Sequence, residues 1–164
     1  MPLIAVLENP TYIINIANAI RNANGLGIAK IYVVDGMKRL EDNLEMLRKR
    51  KSLMKHSSGA VQFMDLERFD SSEECLEKLK NGGFTCVATS PATIGKQHCL
   101  LHESDLTQQN LAIWFGDEGN GLSDFALENC DFSVTIEMRG NVESFNLGTS
   151  TGIVLYEAMR QRTK

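Results

Sequence analysis

One stretch restricts the architecture more than any other. It runs from Ile136 to Glu157, I-E-M-R-G-N-V-E-S-F-N-L-G-T-S-T-G-I-V-L-Y-E. Phe132 to Ile136 reads as the end of an apolar strand, and Arg139 to Ser144 as a polar loop turning at Gly140. From Asn146 to Met159 no proline intervenes, and the residues suit a helix. The first half of that helix is small (Gly148, Thr149, Ser150, Thr151, Gly152) and the second bulky (Ile153, Val154, Leu155, Tyr156, Met159). A glycine inside a helix costs roughly 1 kcal/mol against alanine. Two of them predict that something approaches this backbone closely, either another segment or a ligand.

Upstream, Asn110 to Phe115 is a continuous apolar strand that runs into G-D-E-G-N-G-L-S, Gly116 to Ser123. Three glycines at spacings of three and two make a loop whose backbone amides can face a ligand. Glu118 sharpens the signal, because the lip of a parallel strand is where an α/β sheet places an acid that binds hydroxyls or amines. A dinucleotide fingerprint reads G-x-G-x-x-G and follows the first strand, whereas this loop is late and reads G-x-x-G-x-G. A nicotinamide site is therefore disfavoured. Neither a G-x-S-x-G elbow nor a Walker loop occurs.

Taken in order, Leu3 to Leu7 reads as the first strand, and Thr11 or Asn9 is placed to cap a helix from about Tyr12 to Asn24. Ile13, Ile14, Ala17 and Ile20 are expected to form its buried stripe, while Asn15, Asn18 and Arg21 follow one inclined row. Gly25 and Gly27 end it. Ile31 to Val34 is a second strand, closed by a turn at Asp35-Gly36. Leu40 to Lys55 favours helix, Ser57-Ser58-Gly59 breaks it, and Ala60 to Met64 reads as a short strand. Ser71 or Ser72 begins a helix, with Glu73 and Glu74 in its first turn, that stops at Asn81-Gly82-Gly83. Phe84 to Thr89 is a buried strand, Ser90-Pro91-Ala92 the loop at its carboxyl end, and Gly95 to Gln109 polar and irregular. A short helix near Asp124 to Glu128 precedes the strand Phe132 to Ile136. This alternation predicts an α/β fold, a mostly parallel sheet flanked by helices. Ligands of such sheets sit at strand carboxyl ends. Thr89-Ser90, Gly116 to Gly121 and Ile136 to Ser144 are three such ends and predict one pocket.

Length and composition set bounds. A chain of 164 residues suits one domain, and 43% hydrophobic with 23% charged residues is ordinary for a globular protein. No apolar run reaches the roughly 20 residues of a membrane span, and no signal peptide is visible. Cys75, Cys86, Cys99 and Cys130 form no C-x-x-C, which favours reduced thiols and a cytoplasmic location. His98-Cys99-Leu100-Leu101-His102 lacks the partner cluster that a structural zinc needs, so no metal is expected. Trp114 and Cys86 read as core. A net charge of −4 argues against strong nonspecific nucleic-acid binding. The charge is uneven, however. Lys38, Arg39, Arg48, Lys49, Arg50, Lys51 and Lys55 crowd one region, and Arg160, Arg162 and Lys164 end the chain. These are either solvated faces or an RNA footprint.

The chain resembles the SpoU (TrmH-like) branch of the SPOUT RNA ribose 2′-O-methyltransferases. The first motif of that branch appears as Asn15, Arg21, Ala23 and Gly27, and the second as Gly116, Glu118, Gly121, Leu122 and Ser123. The third appears as Ile136, Met138, Gly140, Ser144, Phe145, Asn146 and Leu155-Tyr156-Glu157. The three stand in the family's order across nearly the whole chain. Departures are Glu137 where the family has proline, Phe145 where it has leucine, and Gly148-Thr149-Ser150 where it often has S-V-A. The resemblance implies a C-terminal trefoil knot, a homodimer, and one domain over 1–164 without terminal RNA-binding extensions. It implies methyl transfer from S-adenosylmethionine, without a metal, to a ribose 2′-hydroxyl of RNA, tRNA before rRNA. The alternative is a cofactor- or nucleotide-binding module that does not methylate RNA. By resemblance the cofactor lies among Thr89, Gly116, Glu118, Gly121, Ile136, Met138, Ser144 and Phe145. The catalytic set is Arg21, Asn15, Glu118, Ser144 and Asn146. A guanidinium rarely gives up its proton, so Arg21 is either the family's base or an anchor for phosphate and developing alkoxide.

Overall fold

A computed structural model describes residues 1–28, 30–40, 43–91 and 96–163. Ala92, Gly95 and Lys164, on which three of the readings above fall, lie outside the described residues. Among the described residues seven strands form one sheet: β1 (Leu3–Glu8), β2 (Lys30–Val34), β3 (Asp65–Phe69), β4 (Thr85–Thr89), β5 (Cys99–Leu100), β6 (Leu111–Phe115) and β7 (Phe132–Thr135). Their order is β3-β2-β1-β6-β4-β7-β5, and every adjacent pair is parallel. β1 and β6 lie at the centre and are buried on both faces, so each reads as an unbroken apolar run rather than an alternation.

Among the described residues six helices cover the faces: α1 (Ile13–Gly25), α2 (Leu44–Lys49), α3 (Lys51–His56), α4 (Ser72–Asn81), α5 (Asp124–Asn129) and α6 (Leu147–Arg162). α1, α2, α3 and α6 share one core with Leu7, Ile31, Ile113 and Phe115. α4 and α5 close a second core around Val6, Trp114, Cys86 and Cys130. Trp114 and Cys86 are buried, as expected.

The two helical glycines of α6 meet another segment, and that segment is α1. A Cβ on Gly148 would lie 2.8 Å from Asn18 Cβ, and one on Gly152 would lie 3.3 Å from Asn22 Nδ2. The gap is bridged by Asn22, whose Nδ2 donates to Gly148 O (2.6 Å) and Thr151 Oγ1 (3.1 Å). At its far end α6 is fixed by Gln161, which accepts from Leu106 N (2.8 Å) and donates to Ser104 O (3.0 Å). Arg162 donates to Met1 O, Pro2 O and Gln109 O. It is a clamp across the chain terminus rather than part of a free basic tail, and Arg160 pairs with Glu157.

Several local expectations are corrected. The N-cap of α1 is Tyr12, with no side-chain hydrogen bond; Thr11 Oγ1 is held by Arg39 instead. Its buried face is Asn15, Ile16, Ala17, Ala19, Ile20 and Ala23, and Ile14 is exposed. Leu40 to Lys55 is not one helix. Arg50 adopts an extended conformation between α2 and α3. Residues six apart on a continuous helix face roughly 120° apart, and the break lets Leu47 and Leu53 both reach the core. Ala60–Phe63 is a 3-10 turn rather than a strand, because Arg48 turns Val61 O and Met64 O toward itself. The strand follows it as β3, where Glu67 and Arg68 are ion-paired with Lys30 and Asp35. The irregular segment contains β5 and a 3-10 turn, Leu101–Glu103.

The α1–α6 contact yields a paired test. Gly148→Ala is expected to lose about 1–3 kcal/mol of stability, the scale of overpacking against a fixed Cβ. Gly152→Ala approaches the Asn22 amide less closely, at 3.3 Å, and gains helix propensity, so its denaturation midpoint in urea should lie nearer wild type than that of Gly148→Ala. Equal midpoints for the two variants would show that close approach is not what Gly148 serves.

Candidate active site

The carboxyl ends of β4, β6 and β7 open onto a cleft of about 330 Å³. Its floor comes from β6. The chain leaves Phe115, turns at Gly116, and folds back so that Asp117 and Gly121 pair, Asp117 N to Gly121 O at 3.2 Å and Gly121 N to Asp117 O at 3.0 Å. Gly121 has φ 69°, and a Cβ on Gly116 would overlap the backbone of Gly121 and Leu122. These glycines close the hairpin. The amides of Gly119 and Asn120 do not face a ligand; they donate to Asp117 Oδ1 at 2.5 and 3.0 Å. Partial burial pushes the Asp117 carboxyl up, but those hydrogen bonds outweigh it and hold the group below its ordinary value.

Glu118 faces α1. Its Oε1 accepts from Asn15 Nδ2 (2.7 Å) and its Oε2 from Thr11 N (3.0 Å). Asn15 Oδ1 accepts in turn from Asn146 Nδ2 (2.9 Å), and Asn146 Oδ1 accepts from Thr149 N (3.1 Å), capping α6. A carboxylate only accepts. That one fact orients both amides, from the β6 loop through α1 to the start of α6.

All eight residues expected around the cofactor, Thr89, Gly116, Glu118, Gly121, Ile136, Met138, Ser144 and Phe145, line the cleft. Thr89 Oγ1 is engaged with Trp114 O at 2.8 Å. Of the expected catalytic set, Glu118 and Ser144 line the cleft, and Asn15 and Asn146 are tied to Glu118. Arg21 lies outside it, exposed, in an adjoining groove with Leu26, Glu137, Arg139, Ile153 and Tyr156; Ile136 borders both. Among the described residues Arg21 has no hydrogen bond or ion pair.

The sequence reading did not place Leu122, Leu127, Leu147, Ser150 or Val154 at the site, and these also line the cleft. Leu147, Ser150 and Val154 stand at i, i+3 and i+7 on one face of α6, a spacing that could have found them. The lining contains three carboxylates, Asp117, Glu118 and Glu143, and no Lys, Arg or His among the described residues. Burial pushes the Cys86 thiol up to about 11 and those of Cys75 and Cys130 higher still, so these thiols are not nucleophiles. His98 meets Thr135 Oγ1 at 2.7 Å, and among the described residues no group of three His, Cys, Asp or Glu could hold a metal ion.

Part of the basic region is structural. Arg39 donates to Asn9 O and Thr11 Oγ1, Lys38 pairs with Asp70, and Arg48 donates to Val61 O (3.1 Å) and Met64 O (2.7 Å).

Comparison with known proteins places these features. The model of the SpoU rRNA Methylase family matches residues 2–156. The 23S rRNA (guanosine-2'-O-)-methyltransferase RlmB of Shewanella oneidensis is 33% identical over 162 residues, 99% of this chain and 61% of the relative. The chain thus spans about 60% of the length of the curated relatives it matches. The SpoU methyltransferase AviRb from Streptomyces viridochromogenes, solved with AdoMet, superposes with a TM-score of 0.83 at 27% identity, over 99% of this chain and 58% of that one. A solved structure described by the 2-OH methylation of C/U34 on tRNA superposes with a TM-score of 0.79 at 28% identity, over 97% of this chain and 95% of that one.

The hydrogen-bond relay makes its own prediction. Asn15→Asp replaces the amide that faces Glu118 Oε1 with a second carboxylate, and is expected to cost about 2 kcal/mol or more at neutral pH. Adding Glu118→Gln to the same chain should restore part of that loss, because the new amide can donate. Urea denaturation of the single and double variants gives the coupling. Additive losses would mean that Glu118 does not set the relay.

Proposed function

We propose that this chain, which belongs to the SpoU rRNA methylase family, transfers a methyl group from S-adenosylmethionine to a ribose 2′-hydroxyl of RNA. The observation that carries the reading is the charge of the cleft. About 330 Å³ with apolar walls at Leu122, Ile136, Met138, Phe145 and Val154 suits a nucleoside-sized ligand. Three carboxylates and no cation suit a ligand bearing sulfonium and ammonium charge, and oppose a nucleoside triphosphate. The donor set therefore fits S-adenosylmethionine, held by Thr89, Gly116, Gly121, Ile136, Met138, Ser144 and Phe145. When bound, that cofactor supplies a methyl group already activated on sulfur.

What remains for the protein is to position the hydroxyl and ease the loss of its proton. Arg21, beside the cleft and without a partner among the described residues, faces the ribose-phosphate and stabilises the developing alkoxide. Asn15 and Asn146, locked by Glu118, hold α1 and α6 in the register that sets Arg21 against the cleft. Ser144 stands at the cleft mouth, beside the incoming hydroxyl.

The groove containing Arg21 presents Leu26, Ile153 and Tyr156 to solvent, and Tyr156 is well exposed. In the homodimer we propose, a second copy of the chain covers the apolar part of this face, at Leu26, Ile153 and Tyr156, and leaves Arg21 open to the substrate. A tRNA is the first substrate to test, after the relative whose length this chain nearly matches. Ribosomal RNA is the second, after the curated relatives. No helix among the described residues is long and apolar enough to cross a membrane, and we place the activity in the cytoplasm.

S-adenosylmethionine at 100 times its Kd is expected to add about 2.7 kcal/mol, or roughly 5–10 °C in Tm. NAD, ATP and GTP should add far less. No shift at millimolar S-adenosylmethionine would end the reading. Arg21→Ala should keep that thermal shift but lose about 10²-fold or more in single-turnover transfer of tritiated methyl to tRNA or rRNA. Arg21→Lys should recover little, since lysine lacks the planar two-pronged contact. A near-normal rate in Arg21→Ala would remove the residue from the mechanism.

A further inference from the structure

α1 is flanked on one side by α6 and on the other by α3 and the 3-10 turn Ala60–Phe63. Packed helices lie about 8–10 Å apart, so this second side is one helix width from the helix that carries Asn15 and Arg21. Phe63 on that shoulder is 76% exposed, more than any other large apolar side chain among the described residues. The same turn is held against α2 and α3. Arg48 reaches Val61 O and Met64 O, and Gly59 N donates to Met54 O. The ring of Phe63 is thus presented on a fixed backbone. The segment that carries it is basic, up to Asp65, which pairs with Lys30. In a chain of net charge −4, residues 43–64 carry Arg48, Lys49, Arg50, Lys51 and Lys55 against the single carboxylate of Glu45. Lys49, Lys51 and Lys55 are exposed and, among the described residues, have no carboxylate partner.

We infer that the α2–α3 shoulder is a docking surface for single-stranded RNA, with Phe63 as the platform on which a base stacks and Lys49, Lys51 and Lys55 as its phosphate contacts. An exposed aromatic ring on one segment with unpaired cations is the combination that binds unstacked nucleotides, because every base has a π-face and every nucleotide a phosphate. An acidic protein segment would use the lysines but leave the ring without a purpose. The shoulder contributes nothing to the groove proposed for the second copy, so both surfaces can be occupied together. The inference rests on the RNA-methylating reading and adds to it where the substrate strand runs.

The test uses the full chain and a short unstructured oligouridylate. Phe63→Ala is expected to weaken binding about 10-fold or more. The triple variant Lys49→Ala, Lys51→Ala, Lys55→Ala, with Arg48 retained because it holds the turn, should flatten the salt dependence of log K by about 0.7 per lost contact, roughly 2 in all. Phe63→Trp should bind as wild type or better, and its introduced indole should be quenched by the oligonucleotide; Trp114, fully buried, should not respond. The cofactor-induced thermal shift should persist in every variant. Unchanged affinity and salt slope in both loss variants, while the wild-type chain binds RNA and shifts with S-adenosylmethionine, overturns the shoulder alone. Loss of RNA binding in the variants of a chain that shows no cofactor shift supports the shoulder and removes the methyl-transfer reading. A lysine effect without an indole quench, matched by equal binding of polyglutamate, overturns the inference in favour of an acidic protein partner.

Discussion

The contact on which the structure turns is the one between α1 and α6, where Gly148 leaves no room for a Cβ against Asn18. Two backbones this close must exchange hydrogen bonds or strand polar groups out of water. Asn22 supplies that exchange at Gly148 O, and Asn15 and Asn146 supply it one turn earlier. The glycines therefore cost helix propensity in order to seat one helix against the other. The seating brings Asn146 at the head of α6 beside α1, and Leu147, Ser150 and Val154 onto the wall of the cleft.

Carboxylates at strand carboxyl ends hold the loops in the same way on both faces of the sheet. Glu8, at the end of β1, is buried and accepts from Ser123 N and Ser123 Oγ, both at 2.8 Å, and from Ser72 Oγ. Asp35, following β2, accepts from Arg39 N and Leu40 N and pairs with Arg68. Glu118, following β6, accepts from Asn15 and Thr11. An unpartnered carboxylate in such places would be costly. Each is instead met by donors from a segment distant in sequence, so each loop is tied to a second element. At the cleft, the β6 loop therefore has both its carboxylates, Asp117 and Glu118, already satisfied within the protein.

Much of this was legible in the sequence, and the failures share a cause. The sheet, the helix ends at Gly27 and Gly83, the Ser71 cap and the cleft-lining residues follow from apolar runs, glycine positions and motif order, all of which are local signals. β3 was missed because Glu67 and Arg68 look solvent-seeking until Lys30 and Asp35 are beside them. The break at Arg50 was missed because only the tertiary core demands that Leu47 and Leu53 point the same way. Glu118 was legible as an acid at a strand end but not as an acceptor for α1, since Asn15 lies 103 residues away. Arg48 and Arg162 looked like surface charge, and their backbone-carbonyl partners could not be read from composition.

The separation of charge is what the proposed action of an acidic chain on a polyanion requires. The cleft gathers Asp117, Glu118 and Glu143 and contains no cation among the described residues, so it attracts a cationic cofactor and repels phosphate. Arg21 stands just outside it on α1, and the unpaired lysines stand one helix further on. In the proposed complex, a nucleic-acid strand lying along the basic side keeps its phosphates over cations and presents only a sugar to the acidic mouth. If the cleft carried the basic residues instead, phosphate would compete with the cofactor for the same walls. Net charge therefore says little about such a protein. What decides is that opposite charges are sorted on either side of α1, and the close contact of that helix with α6 keeps the boundary fixed.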